Sequence, residues 1–223
     1  MLLALAPARA AEEYDLLLVL AVDTSGSVDD EELSLQLGGI AAAFRDSEVI
    51  AAALSGRRHR IAVNLVNWSD AEFEKFTTGW ISIDSEAAAH AFSGRVQGFT
   101  TRLGGATGIG SAIAFGIGLI GSSGLEAPRK IIDVSGDGIE AWQRNIPALV
   151  LETIGPLREA AGVTVNGLAI RNDFQFLDRY YRDFVIGGPG SFVMDAKDYN
   201  AFPAAMRKKL LRELTPVTAS LAP

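Results

Sequence analysis

Continuous apolar runs alternate along the chain with longer stretches in which apolar residues recur at helical spacing. The clearest run is LLLVLAV at residues 16–22, which ends in a polar loop at residues 23–27. Such a run is typical of a central strand in a parallel sheet, because both faces of that strand are buried. The next stretch, residues 29–44, opens with four consecutive acidic residues. Acidic side chains favour the first turn of a helix, so the pattern predicts a strand, a loop and a helix in that order.

The same alternation continues to the end of the chain. Further strands are predicted at residues 60–68, 80–83, 129–135, 163–170 and 191–194. Further helices are predicted at residues 85–95, 108–121, 145–161 and 198–214. This order predicts an α/β fold with a doubly wound, mostly parallel central sheet and helices on both of its faces.

The N-terminus carries a signal-like segment. Residues 1–10 read MLLALAPARA, an apolar run that ends in an A-x-A cleavage pattern. We therefore expect a signal-peptide remnant at 1–10, a single domain at 11–214 and a loose tail at 215–223. A periplasmic or secreted bacterial protein follows from this interpretation. The alternative is a disordered or docked terminus.

Composition and charge exclude several classes of function. The net charge of −7 and the pI of about 4.9 argue against nucleic acid or an anionic membrane surface as the main partner. The absence of cysteine excludes disulfides, thiolate metal sites and cysteine nucleophiles. The most apolar stretch, residues 109–121, is shorter than the roughly 20 residues that span a bilayer. We therefore predict a globular protein with no membrane span.

Hydroxyl and carboxylate groups cluster in three loops at predicted strand ends or helix starts. The loops are DTSGS at residues 23–27, GGATG at 104–108 and SGDG at 135–138. In an α/β sheet the carboxyl ends of the strands form the binding edge. Hard oxygen donors suit Mg²⁺, Mn²⁺ or Ca²⁺ rather than a soft metal, and one short loop cannot surround such an ion. The three loops together therefore predict a divalent-cation site.

The first loop resembles the D-x-S-x-S motif of von Willebrand factor A domains, with Asp23, Ser25 and Ser27 at its three positions. In that family a threonine from a Gly-rich loop and an aspartate after a later strand belong to the same metal-ion-dependent adhesion site. Thr107 and Asp137 match those two residues, although Ala106 stands where the family often has Gly-Gly-Thr. The resemblance covers roughly residues 14–214 and is closest to a bacterial exported branch of unknown function.

This resemblance implies a function. The metal ligands would be Asp23, Ser25, Ser27, Thr107 and Asp137, the cation would be Mg²⁺ (or Mn²⁺ or Ca²⁺), and the fold would be the von Willebrand A fold. Because many of the ligands in the family are neutral hydroxyls, the cation stays electrophilic and accepts a carboxylate from a protein partner. The resemblance therefore implies adhesion rather than catalysis.

Simpler interpretations of the same residues stay open. Ser27 can be a helix N-cap, Thr107 a hydroxyl at a helix start and Asp137 a turn residue before Gly138. In that case the domain is a scaffold with an empty site.

An enzyme is the main rival. Asp23 after an apolar strand, Lys130 before a later strand and the Gly-Asp-Gly turn around Asp137 together resemble haloacid-dehalogenase-like phosphatases. That chemistry needs a second aspartate two residues after the nucleophile, and Ser25 occupies this position. Two nucleotide-binding patterns, GxGxxG at residues 116–121 and GATGIGSAIA at 105–114, sit in or directly before a predicted helix rather than in the usual place after the first strand, so both are weak.

Several other polar or aromatic residues have two interpretations each. Asp133, inside an apolar strand, is either a support for the metal ligands or a hydrogen-bonded structural aspartate. Trp68 and Trp142 either line the partner surface or pack in the interior. The basic run at residues 207–209 is expected to be a solvated helix end.

Overall fold

The computed structural model describes residues 12–141 and 149–215. The strands are β1 (Glu12–Glu13), β2 (Leu17–Asp23), β3 (Ile61–Trp68), β4 (Phe76–Thr77), β5 (Ile81–Ile83), β6 (Leu125–Glu126), β7 (Lys130–Gly136), β8 (Thr164–Ile170) and β9 (Val193–Ala196). The helices are α1 (Asp30–Ala43), α2 (Ser47–Ala53), α3 (Glu86–Gln97), α4 (Ile109–Ser122), α5 (Leu149–Ala160), α6 (Leu177–Phe184) and α7 (Phe202–Leu214). A 3-10 turn at Tyr199–Ala201 leads into α7.

The main sheet runs β4-β3-β2-β7-β8-β9, and β5 also pairs with β3. The five strands from β3 to β9 are parallel, whereas β4 and β5 are antiparallel to β3 at its outer edge. β1 and β6 form a separate two-stranded parallel sheet. Every residue of β2 and β3 is buried, as expected for strands at the centre of a covered sheet.

Two apolar layers hold the helices against the sheet. Alternate residues of β2 point to opposite faces: Leu18, Leu20 and Val22 belong to one core cluster, and Val19 and Ala21 to the other. The first cluster includes side chains of α1, α2, α3 and α7, and the second includes side chains of α4 and α6. The predicted doubly wound α/β sheet with helices on both faces is confirmed.

Most predicted elements agree with the structure to within about two residues at each end, the usual scatter of helix and strand boundaries. The sequence interpretation missed α2 and α6 and the short strands β1, β4 and β6. The first residues of the predicted helix at 145–161, the segment 1–10 and nearly all of 215–223 lie outside the described residues, so the predicted domain boundaries stay predictions.

The prediction that the basic run at residues 207–209 is a solvated helix end is wrong for Lys209, and the run lies in the middle of α7. Lys208 is exposed, but Lys209 is 0 % exposed, and its Nζ lies 2.6 Å from Asp133 Oδ1 and 2.5 Å from Glu213 Oε1. Arg207 is half-buried and pairs with Asp46 of the α2 cap at 2.8 Å. Lys209 belongs to the face of α7 that carries Met206 and Leu210, so its position in the helix places it over the sheet.

Asp133 is therefore the partner of a buried lysine. Burial, followed by the charge of Glu213, raises its pKa to about 7.

Among the described residues no helix is long and apolar enough to cross a membrane.

Candidate metal centre

The carboxyl edge of the central strands brings the three predicted loops together. Asp23 is the last residue of β2, and Asp137 follows β7, the neighbour of β2 in the sheet. The Gly-rich loop before α4 joins them through two backbone hydrogen bonds. Gly26 N donates to Gly105 O at 2.8 Å, and Gly104 N donates to Thr24 O at 2.9 Å. Gly104 and Gly105 have φ of 69° and 79°, the left-handed region that glycine adopts without strain.

Hydroxyl and carboxylate groups of two loops are in direct contact. The Ser25 and Ser27 hydroxyl oxygens lie 3.3 Å apart, and Ser27 Oγ donates to Asp137 Oδ1 at 2.9 Å. Asp23 Oδ1 accepts a hydrogen bond from Ser25 N at 2.8 Å, which fixes the turn. The two serines and the two aspartates therefore form one connected group.

Thr107 approaches the same group from the Gly-rich loop. A Cβ placed on Gly138 would lie 3.2 Å from Thr107 Oγ1, so the threonine hydroxyl packs against the residue that follows Asp137. The Thr107 carbonyl also accepts from Ala141 N at 2.8 Å, which ties the Gly-rich loop to the loop after β7.

The two carboxylates are buried without a compensating cation among the described residues. Asp23 is 0 % and Asp137 2 % exposed, and the second carboxylate oxygen of each has no hydrogen-bond partner in the described ranges. Burial and then the charge of Asp137 raise the pKa of Asp23 to about 7, and burial also raises the pKa of Asp137. A buried carboxylate pair is costly unless a positive charge joins it. The orphaned oxygens therefore fit a bound divalent cation.

The atoms available to bind a cation at this edge are carboxylate oxygens and hydroxyl oxygens. In the ranges 12–141 and 149–215, no group of three or more His, Asp and Glu side chains is arranged to hold a metal. A cation at this edge would depend on the Ser25, Ser27 and Thr107 hydroxyls in addition to Asp23 and Asp137. Such hard, partly neutral donors suit Mg²⁺, Mn²⁺ or Ca²⁺.

The capping interpretation of Ser27 does not match the structure. Asp29 is the N-cap of α1, and its carboxylate accepts from Glu32 N at 2.8 Å while Glu32 Oε2 accepts from Asp29 N at 3.0 Å. Because this capping box serves the helix start, the Ser27 hydroxyl is left to contact Asp137.

Sequence reasoning missed four side chains that position the loops. Gln36 of α1 is 0 % exposed, and its Nε2 donates to Asp23 O at 3.1 Å. Asp70 Oδ2 accepts from Ala106 N at 3.1 Å, which holds the Gly-rich loop. Glu140 Oε2 accepts from Gly110 N at 2.8 Å, in the first turn of α4. None of these residues belongs to a recognisable motif, since each acts on backbone groups that are distant in sequence.

The fourth missed side chain is Tyr181 of α6, which is fully buried with no hydrogen-bond partner for its hydroxyl in the described ranges. A Cβ on Gly136 would lie 2.7 Å from Asp23 Oδ2 and 2.8 Å from the Tyr181 hydroxyl. Both polar atoms thus approach the space that glycine leaves open. Burial, followed by the charge of Asp23, raises the pKa of Tyr181, so the phenol stays protonated beside the carboxylate.

The two tryptophans and the GxGxxG pattern singled out in the sequence are not part of the candidate metal centre as the structure describes it. Trp68 is fully buried and its carbonyl accepts from Thr24, so it packs in the core and does not line a partner surface. Trp142 lies outside the described residues. The GxGxxG pattern at residues 116–121 is inside α4, where it cannot form a phosphate-binding turn after a strand.

Comparison with known proteins gives one family and a set of similar folds. The model of the family described as "Protein of unknown function (DUF1194)" matches residues 13–218. A comparison with curated proteins gives no match.

The chain is similar to several solved structures. The SpaC pilus adhesin of Lactobacillus rhamnosus GG is 13 % identical with a TM-score of 0.60, and the match covers 92 % of this chain and 31 % of the adhesin chain. Proximal thread matrix protein 1 from the mussel byssus, with a zinc-occupied MIDAS motif, is 16 % identical with a TM-score of 0.60, covering 92 % of this chain and 48 % of its own.

The vWF domain of the type V pili tip protein Mfa5 from Porphyromonas gingivalis is 10 % identical with a TM-score of 0.57, covering 93 % of this chain and 98 % of that domain. This chain thus spans about a third of the adhesin and about half of the matrix protein, but nearly the whole of the isolated vWF domain. At these identities the likeness concerns the fold.

The mostly parallel central sheet with helices on both faces agrees with the fold-level similarity in these comparisons. The chain belongs to the DUF1194 family and has the von Willebrand factor A fold.

Proposed function

We propose that the chain is a metal-dependent protein-binding module. A divalent cation, Mg²⁺ or else Mn²⁺ or Ca²⁺, is held by Ser25, Ser27 and Thr107 together with Asp23 and Asp137. The cation supplies an electrophilic centre that accepts a carboxylate from a protein partner. The observation that carries the proposal is the pair of buried aspartates, each with an oxygen that has no partner in the described ranges, in contact with Ser25 and Ser27 of one loop.

Charge balance supports binding rather than catalysis. Three of the five proposed ligands are neutral hydroxyls, which add no negative charge, so the cation stays electrophilic and can accept one further anion. A similar fold with a zinc-occupied MIDAS motif is found in the mussel matrix protein, which supports a cation at this edge.

The position of Lys130 in the sheet argues against the phosphatase alternative. In the register of the sheet Lys130 is opposite Leu17, at the start of β2, whereas Asp23 is at its end. Six residues of strand separate the two positions, which corresponds to roughly 20 Å at about 3.3 Å per residue. Lys130 is therefore too far from Asp23 to contact a phosphoryl group there.

Titration calorimetry with Mg²⁺ and Mn²⁺ tests the metal site. We expect one site in the wild type and none in Asp23→Ala that is still folded by circular dichroism. Because burial raises the pKa of Asp23 to about 7, protons compete with the cation. The affinity should then be about ten-fold lower at about pH 6 than at about pH 8. Equal binding by wild type and Asp23→Ala contradicts the proposal.

Export to the periplasm or the exterior is the setting we propose, on the sequence of residues 1–10 alone. Mass spectrometry of the native protein should find Ala11 at the N-terminus. A retained Met1 in a cytosolic fraction refutes export and leaves the metal site unaffected.

A further inference from the structure

Large apolar side chains are exposed mainly at the edge of the molecule that carries the candidate metal centre. In the described ranges the exposed large hydrophobic residues are Phe73, Phe76, Ile139, Leu157, Phe174 and Phe176. Four of them belong to loops that follow strands of the parallel sheet, and we call these four the apolar rim: Phe73 after β3, Ile139 after β7, and Phe174 and Phe176 after β8. Because these strands are parallel, their carboxyl ends share one edge with Asp23.

Packing contacts connect the apolar rim to the metal loops. A Cβ on Gly105 would lie 2.7 Å from the Phe73 ring, so this ring packs against the Gly-rich loop. The carbonyl of Gly105 in turn accepts a hydrogen bond from Gly26 N of the first metal loop. Phe176 is the N-cap residue of α6, the helix whose Tyr181 approaches Asp23. Phe176 is also 74 % exposed, a large apolar surface whose recorded ring contact is with Arg179, with the guanidinium carbon 5.8 Å from the ring centroid.

The charges at the same edge are predominantly negative. Exposed acidic residues in these loops are Glu72, Glu74 and Asp173. The basic residues in the described part of the loops are engaged by the protein itself: Lys75 Nζ donates to three carbonyls, Arg102 pairs with Asp30 at 3.1 Å and Arg171 pairs with Asp195 at 2.8 Å. The exposed Arg179 of α6 lies over the Phe176 ring, 5.8 Å from its centroid, and is the one basic side chain against the rim in the contacts of the described residues. An acid-rich partner would be repelled by this edge even if one of its carboxylates reached the cation.

We propose that the partner is a protein segment with a single acidic residue flanked by aromatic or aliphatic residues and by lysine or arginine. The acidic residue reaches the cation, the apolar side chains cover the apolar rim, and the basic side chains face Glu72, Glu74 and Asp173. This inference rests on the proposed function for its acidic residue, whereas the apolar and basic preferences follow from the rim and its charges.

Selection from a random peptide library displayed on phage, against the full chain in excess Mg²⁺, tests the partner chemistry. We expect the selected peptides to be enriched in one Asp or Glu with apolar and Lys or Arg neighbours. Binding of synthetic copies should weaken as the salt concentration rises, because exposed charges are screened. Enrichment of acid-rich peptides, or the absence of any selected peptide, overturns the inference.

Two variants separate this inference from the metal site. Phe176→Ala should keep metal binding by calorimetry but lose about ten-fold or more in affinity for the selected peptides, as for an aromatic anchor. Leu157→Ala is the matched control, since Leu157 is 53 % exposed on α5 and outside the apolar rim. Binding that fails in EDTA but is unchanged in Phe176→Ala contradicts the rim. Binding that persists in EDTA but fails in Phe176→Ala contradicts the metal role and retains the rim.

Discussion

At the scale of single residues, two glycines leave space beside the oxygen atoms of the candidate metal centre. Gly136 leaves open the space beside Asp23 Oδ2 and the Tyr181 hydroxyl, and Gly138 leaves open the space beside Thr107 Oγ1. A cation and its water ligands need unobstructed oxygens, so these glycines serve the site through the side chains that they lack.

A methyl group at Gly136 tests this role. In Gly136→Ala the new Cβ would lie 2.7 Å from Asp23 Oδ2, so the carboxylate must move. We expect Mg²⁺ affinity to fall by about ten-fold or more, and the free energy of unfolding by about 1–3 kcal/mol, as for overpacking. Calorimetry and urea unfolding measure the two quantities.

The control is Gly118→Ala in α4, where no described atom beyond the glycine's neighbours and its own helix backbone lies within 4 Å of the added Cβ. This variant should keep its metal affinity and gain roughly 0.5–1 kcal/mol of stability, because alanine is the better helix residue. A Gly136→Ala protein that binds Mg²⁺ like the wild type would show that the Asp23 carboxylate is not a ligand in this orientation.

At the scale of elements, α7 is attached to the sheet by charge as well as by apolar packing. Lys209 of α7 reaches Asp133 of β7 and Glu213 of its own helix, and Asn166 of β8 donates to Glu213 Oε1 at 2.7 Å. One lysine therefore faces two buried carboxylates, and its removal takes away the cation that contacts both of them.

Lys209→Met should therefore destabilise the protein by about 3–5 kcal/mol. The neighbouring exposed lysine provides the control, since Lys208→Met should change the stability by no more than about 0.5 kcal/mol. Urea unfolding followed by circular dichroism compares the two. An unfolding midpoint of Lys209→Met equal to that of the wild type would mean that the buried pair contributes nothing to stability.

The elements also show which features a sequence can predict. Continuous apolar runs such as residues 16–22 predict buried strands because the pattern is local, and the order of strands and helices then fixes the fold class. The sequence of α6, LDRYYRDF, is mostly polar, and the burial of Tyr181 depends on glycines at 136 and 167 in two different strands. Lys209 looked like a surface charge for a related reason, since one of its partners, Asp133, comes from a strand that is distant in the sequence.

The candidate metal centre also contains some residues that the sequence could predict and others that it could not. The motif places Asp23, Ser25 and Ser27 in one loop, and the structure brings Asp137 and the Gly-rich loop to them. Gln36, Asp70 and Glu140 could not be predicted, because each contacts the backbone of a loop that is remote along the chain.

At the scale of the whole molecule, the two edges of the sheet differ. The carboxyl edge carries the candidate metal centre, the apolar rim and an excess of exposed acidic residues. The amino edge carries a cavity of about 770 Å³ whose lining includes Asp15, which precedes β2, Arg129, Thr164 and Leu214 at the C-terminal end of α7.

The position of the cation is the most direct test of this account. Crystals of the chain grown in excess Mn²⁺, measured at the manganese absorption edge, should show one strong anomalous peak bonded to the Ser25 and Ser27 hydroxyl oxygens and bordered by Thr107, Asp23 and Asp137. A peak at another place on the molecule, or no peak at this edge, would contradict the proposal that these loops hold a divalent cation.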